Sequence, residues 1–168
     1  MKFRPRWRSV AINAGWLLLF VAVYFGVRTW QQRTLVEGPA PTLQAAQLDG
    51  AAFDLTGFRS RPVLVYFWAT WCPVCRLEQG AIESLAGDYS VIAVALQSGS
   101  AAEVTKYLRE HDLRVPVIND PDSAIATAWG VRATPTSFIV DGAGTIRFRE
   151  VGFTSETGLR LRLWLAGF

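Results

Sequence analysis

Eighteen consecutive residues, Val10 to Val27 (VAINAGWLLLFVAVYFGV), carry no charge, and this run divides the chain before any fold is considered. At 1.5 Å per helical residue the run spans roughly 27 Å, close to the hydrocarbon thickness of a bilayer. Asn13 is its one strongly polar side chain, and Trp7 and Trp30 bracket it as interfacial aromatics do. Lys2, Arg4, Arg6 and Arg8 precede the run, while Arg28 and Arg33 follow it. The positive-inside bias therefore places the N-terminus in the cytoplasm and everything after the run outside. A cleaved signal peptide is the rival reading, but its apolar region is shorter and ends at a small-residue site. Here the run leads into Arg28, Trp30 and Arg33, and the best small-residue site, Gly38-Pro39-Ala40, is followed by Pro41. The expected organisation is a cytoplasmic basic segment (1–9), a transmembrane anchor (10–27), a tether (28–41) and one exported domain (42–168). The location is a single-pass protein of the cytoplasmic membrane with its domain in the periplasm or equivalent space, where a disulfide persists.

Six of the 17 basic side chains lie before residue 34, and none of the 14 acidic ones does, so the remainder carries 11 basic groups against 14 acidic. The positive net charge thus belongs to the N-terminal segment and does not describe a nucleic-acid face on the domain. Two cysteines exclude a multi-disulfide scaffold and a four-thiolate zinc site, and a single histidine, His111, excludes histidine-rich metal sites. His111 reads as a surface residue.

Leu43–Leu48 and Ala51–Leu55 flank Asp49-Gly50 as a hairpin. Residues 62–69 (PVLVYFWA) form a continuous apolar run, as a strand buried on both faces does. A helix is expected from Cys72 to about Leu85, a buried strand over Val91–Leu96 and an amphipathic helix over Ala101–Glu110. An extended piece at Val115–Ile118 and a short helix at Ser123–Trp129 follow. Thr136–Val140 and Thr145–Val151 read as a second hairpin, and Ser155–Leu165 as the closing helix. This alternation predicts an α/β fold with a mixed central sheet covered by helices on both faces.

Cys72-Pro73-Val74-Cys75 stands where the buried strand ends and a helix begins. With Cys72 at the N-cap, Pro73 falls at N1, where its missing N–H costs nothing. Cys75 then falls at N3, its backbone N–H aimed at the Cys72 sulfur. That donor and the helix dipole favour thiolate, and cysteines in such motifs have pKa values of roughly 3.5 to 7.5. Cys72 is expected to be the exposed nucleophile and Cys75 the inner, resolving thiol. A purely structural disulfide across one turn closes too short a loop to stabilise much. Zinc lacks two further ligands, and covalent haem attachment needs a histidine where Arg76 stands. Copper(I) favours soft donors, and the only methionine is Met1.

Val63–Cys75 (VLVYFWATWCPVC) and Ala133–Asp141 (ATPTSFIVD) resemble the two halves of a thioredoxin-like active site. With the N-terminal anchor, the chain resembles the membrane-anchored extracytoplasmic thioredoxins of the TlpA, ResA and DsbE group, which includes the copper-sensitivity suppressor D proteins. The resemblance covers about residues 40–168. It implies a thioredoxin-like fold and a cis Thr134–Pro135 bond lying against the cysteines. It also implies that Pro135 keeps a backbone edge open for an extended substrate strand, whose polarity Thr134 sets, and that Trp71 and Pro73 face the substrate. The residues alone say only that Thr134-Pro135-Thr136 is extended or a turn, and a strand-end aromatic such as Trp71 is more often packing.

Glu78 shares a helical stripe with Cys75, Ile82 and Leu85. It is either the acid–base partner of Cys75, as in ResA-like members, or an acid favoured near a helix N-terminus. Thioredoxin carries a buried Asp six residues before its first cysteine; here Tyr66 stands there.

The resulting expectation is a membrane-tethered thiol:disulfide oxidoreductase acting on exported proteins, with Cys72, Cys75 and Glu78 carrying the chemistry. It needs no cofactor or metal beyond its own dithiol. The resemblance favours a reductase, serving cytochrome c maturation or related thiol maintenance and drawing electrons from a membrane partner of the DsbD/CcdA type. Pro73 and Thr134 are also compatible with an oxidant or isomerase. Rival readings are a copper-binding dithiol module and a non-catalytic assembly scaffold.

Overall fold

The structure, a computed structural model, describes residues 7–58 and 61–168, together with the side chains of these residues apart from Trp7, Arg8, Ser9 and Arg28. Residues 1–6 of the expected cytoplasmic segment, and the Trp7 side chain expected at the interface, lie outside what is described. The chain divides into two units between Arg33 and Thr34.

The first unit is helix α1 (Trp7–Gln32). Within Val10–Gln32 an 18-residue stretch has a mean hydropathy of 2.1 and none of that stretch is buried, so the helix is long and apolar enough to cross a membrane. The helix runs beyond Val27 to Gln32, and within that stretch the Thr29 hydroxyl is turned back onto the carbonyls of Phe25 and Gly26. The Arg33 guanidinium lies over the Trp30 ring, 5.0 Å from its centroid.

The second unit is a six-stranded mixed sheet with β1 (Gly38–Pro39), β4 (Val63–Trp68), β5 (Ser90–Leu96), β6 (Val117–Asp120), β7 (Thr136–Val140) and β8 (Thr145–Val151). Their order is β1-β8-β7-β4-β5-β6. β4, β5 and β6 run parallel; β7, β8 and β1 join antiparallel on the other side of β4. A separate hairpin pairs β2 (Gln44–Ala46) with β3 (Ala52–Asp54). The helices are α2 (Pro73–Asp88), α3 (Ala101–Glu110), α4 (Ala124–Ala128) and α5 (Glu156–Ala166). The fold is thioredoxin-like.

The period of two along β4 explains its continuous apolar composition. Leu64, Tyr66 and Trp68 enter a core layer with Ile82 and Leu85 of α2, Val104 of α3 and Leu159 and Leu163 of α5. Val63, Val65 and Phe67 enter the opposite layer, closed by Ala126 of α4, Phe53 of the small hairpin, and Trp129 and Phe138. Phe67, Trp129 and Phe138 pack as an aromatic trio with centroids 4.9 to 5.8 Å apart.

The segment expected as a tether over 28–41 is helix to Gln32, and from Thr34 it is part of the domain. Leu35 is buried, the Thr34 hydroxyl donates to the Gly130 carbonyl, and the Val36 N–H donates to the Trp129 carbonyl. Gly130 is required there: its φ is +70°, and a Cβ would stand 1.9 Å from the Thr34 carbonyl oxygen. The extended piece expected at Val115–Ile118 pairs two residues further on, as edge strand β6.

Candidate active site

The site lies where β4 gives way to α2. Cys72 is the N-cap of α2 with extended backbone angles, Pro73 occupies the first turn, and the Cys75 N–H donates to the Cys72 Sγ at 3.1 Å. One of the orphan donors of the helix start thus points at sulfur. The two cysteines form a disulfide, with Cα atoms 5.3 Å apart. Both are buried. Cys72, expected to be exposed, is only 3% accessible: its sulfur is bonded to Cys75 and the residue packs in the buried apolar cluster beneath the site. Exposure belongs instead to its neighbours: Trp71, Pro73 and Val74 face solvent.

Trp71 is held although 56% exposed. Its indole Nε1–H donates to the Gln97 carbonyl at 2.9 Å. Gln97 sits in the left-handed region at φ 46°, in the turn after β5. The next residue, Ser98, accepts from the Thr70 N–H and donates to the Leu96 carbonyl. The β5–α3 turn therefore braces both residues that precede Cys72. Only the dense Gln97-Ser98-Gly99-Ser100 turn chemistry hinted at this in the sequence.

The Thr134–Pro135 bond is cis. Antiparallel pairing sets Thr136 opposite Phe67, so Pro135 continues that register beside the end of β4. Pro135 is buried and Thr134 half-buried. The Gly152 N–H donates to the Pro135 carbonyl at 2.8 Å, tying this segment to the turn that leads from β8 into α5.

The same turn reaches Glu78. The Thr154 N–H donates to Glu78 Oε1 at 2.5 Å, and the Tyr66 hydroxyl donates to Oε2 at 2.9 Å. Glu78 is 1% exposed, one helical turn beyond Cys75 on the buried stripe of α2. Burial raises its carboxyl above the ordinary carboxylate value of 4.5, against two hydrogen bonds that favour the charged form. Burial, and next the charge of Glu78, raise the Tyr66 phenol in turn. The sequence marked Glu78 as core-facing and Tyr66 as a departure from thioredoxin; the bond between them needs the strand and helix registers together. Thr154 acts through its backbone and leaves no sequence signal.

His111 is exposed at the end of α3, its ring stacked on Tyr107 with centroids 4.0 Å apart. Among the described residues no group of three or more His, Cys, Asp or Glu side chains is placed to hold a metal ion.

Residues 36–149 match the model of the AhpC/TSA family. A thioredoxin-like protein of Haemophilus influenzae is 35% identical over 154 residues, covering 90% of this chain and 92% of that one. A thiol:disulfide interchange protein DsbE homolog of Paracoccus denitrificans is 40% identical over 116 residues, covering 67% of this chain and 64% of its own length. Among solved structures, the pneumococcal exposed lipoprotein thioredoxin Etrx1 of Streptococcus pneumoniae superposes with a TM-score of 0.69 at 23% identity, over 74% of this chain and 99% of that one. At that identity the likeness speaks for the fold.

Proposed function

The chain belongs to the AhpC/TSA family and is a thioredoxin-like thiol:disulfide oxidoreductase of the DsbE type, and from that premise we propose a membrane-tethered reductase of exported protein disulfides. The observation that carries this reading is the Cys72 sulfur at the N-cap of α2, under the Cys75 N–H and ringed by exposed Trp71, Pro73 and Val74. In the dithiol form the helix dipole and that N–H favour a Cys72 thiolate.

The thiolate attacks one sulfur of a substrate disulfide. That S–S bond breaks, a Cys72–substrate mixed disulfide forms, and the released substrate thiolate takes up a proton. Cys75 then gives its proton to the Glu78 carboxylate and attacks Cys72 Sγ. The second substrate thiolate leaves, the substrate is reduced by two electrons, and Cys72–Cys75 is oxidised. Pro135 has no N–H to offer, so the extended substrate segment pairs alongside it through neighbouring groups, with Thr134 and Trp71 in contact. A membrane dithiol donor of the DsbD/CcdA type returns two electrons and two protons.

The apolar helix α1, bracketed by basic residues, supports anchoring with the N-terminus in the cytoplasm and the domain in the periplasm or equivalent space. The disulfide form of an apocytochrome thiol pair is a substrate of the right chemistry. The test is the reduction potential of Cys72–Cys75 in the full chain, held in detergent and equilibrated with thiol–disulfide buffers. A value near about −270 mV supports the reductase, while one near about −120 mV overturns it in favour of an oxidant.

A further inference from the structure

The buried Glu78 carboxyl has one donor on each oxygen, and the two donors differ in kind. Oε1 accepts from the backbone N–H of Thr154, a group that donates and never accepts. Oε2 accepts from the Tyr66 hydroxyl, which can turn its O–H away and offer a lone pair instead. A proton arriving on Glu78 is therefore better placed on Oε2. On Oε1 it has only the lone pair that the Thr154 N–H leaves, with no acceptor shown beside it; on Oε2 it meets a phenol oxygen able to accept it. The contact lies inside the apolar layer, with Glu78 1% and Tyr66 2% exposed, so water does not replace either partner.

We propose that Tyr66 is a positioning residue that confines the exchangeable proton of Glu78 to Oε2 and sets the pH at which that carboxyl hands it to and from Cys75. This rests on the reading of Glu78 as the acid–base partner of Cys75. Titratable groups around the carboxyl come from four sides. β4 brings Tyr66, α2 brings Cys75, and α3 brings Tyr107, whose phenol raises Tyr66 in its turn and accepts from Gln79. The α5 side holds charges committed elsewhere: Arg160 to Glu156 and Asp88, and Arg162 to Glu150 of β8.

The test is the rate at which dithiothreitol reduces Cys72–Cys75 in the full chain in detergent micelles, from pH 5 to 9, with acid quenching and counting of alkylated thiols. Dividing each rate by that of Glu78→Gln at the same pH removes the titration of dithiothreitol itself. The wild type is expected to show one inflection in this ratio. Tyr66→Phe keeps the ring but loses the donor that stabilises the carboxylate, so its inflection moves alkaline by about one pH unit. A role in packing alone would lower the melting temperature and leave the inflection in place, and that result overturns the proposal. A wild-type ratio that is flat with pH overturns the Glu78 reading itself, and the proposal with it. If Tyr66→Phe does not fold, Tyr66→Leu, which also lacks the hydroxyl, carries the same expectation.

Discussion

β4 sends Val63, Val65 and Phe67 into one core layer and Leu64, Tyr66 and Trp68 into the other, yet the two layers do different work. The first is closed by Phe67, Trp129 and Phe138 and by aliphatic side chains from β5 and the small hairpin. The second is likewise built of buried apolar side chains but also takes in Cys72, Cys75, the Tyr66 hydroxyl and, on the stripe of α2, the Glu78 carboxyl. Burying polar groups costs free energy unless each is hydrogen-bonded, and here both carboxyl oxygens are. One layer is apolar packing, and the other also buries the groups to which the proposed mechanism assigns protons and electrons.

Four measurements would break or sharpen that contrast. The largest effect is expected from Cys72→Ser, which should bring turnover of a disulfide-bonded protein substrate down to background while circular dichroism stays native. Phe67→Ala in the opposite layer should do the reverse. It should cost about 3–5 kcal/mol in denaturant unfolding and leave the reduction potential where it was.

Glu78→Gln should change how stability depends on pH. The native carboxyl titrates above its ordinary value of 4.5, so the folded state binds that proton more tightly than the unfolded chain. Its contribution is present in full below the unfolded pKa and is lost as pH rises through the native one. The wild type should therefore lose stability over that interval relative to Glu78→Gln. Asp54, Glu103 and Glu156, all lowered by hydrogen bonds, act in the opposite sense in both proteins and drop out of the difference. The smallest effect is expected from reducing the disulfide. It joins residues only three apart, so melting curves of the two redox forms should differ by no more than about 2 kcal/mol.

The apolar layer was legible almost whole. Its signals are local: the continuous apolar runs that became β4 and β5, and the Asp141-Gly144 hairpin with Gly144 at φ 81°. The capping geometry of Cys72 was legible for the same reason, since N-cap, N1 and N3 are fixed by spacing. What escaped lies between segments distant in sequence. Tyr66 and Glu78 are 12 residues apart, and Thr154 is 76 from Glu78; neither spacing has a periodic signature. The burial of Cys72 escaped because exposure is a property of what folds over a residue. The packing of Thr34–Val36 against the segment after α4 escaped because it depends on the backbone fit at Gly130.

The pair formed by Tyr66 and Glu78 also separates two goals an engineer might set for this domain. Replacing both with apolar residues of similar volume would remove two desolvated polar groups, and such exchanges are often neutral or stabilising. A selection for heat resistance alone would drift toward that solution and deliver a tougher domain with no carboxyl beside its inner thiol. On the mechanism proposed above, a selection for turnover would hold the pair and accept the softer core. The same two positions would then record, in any evolved library, which of the two pressures had been applied.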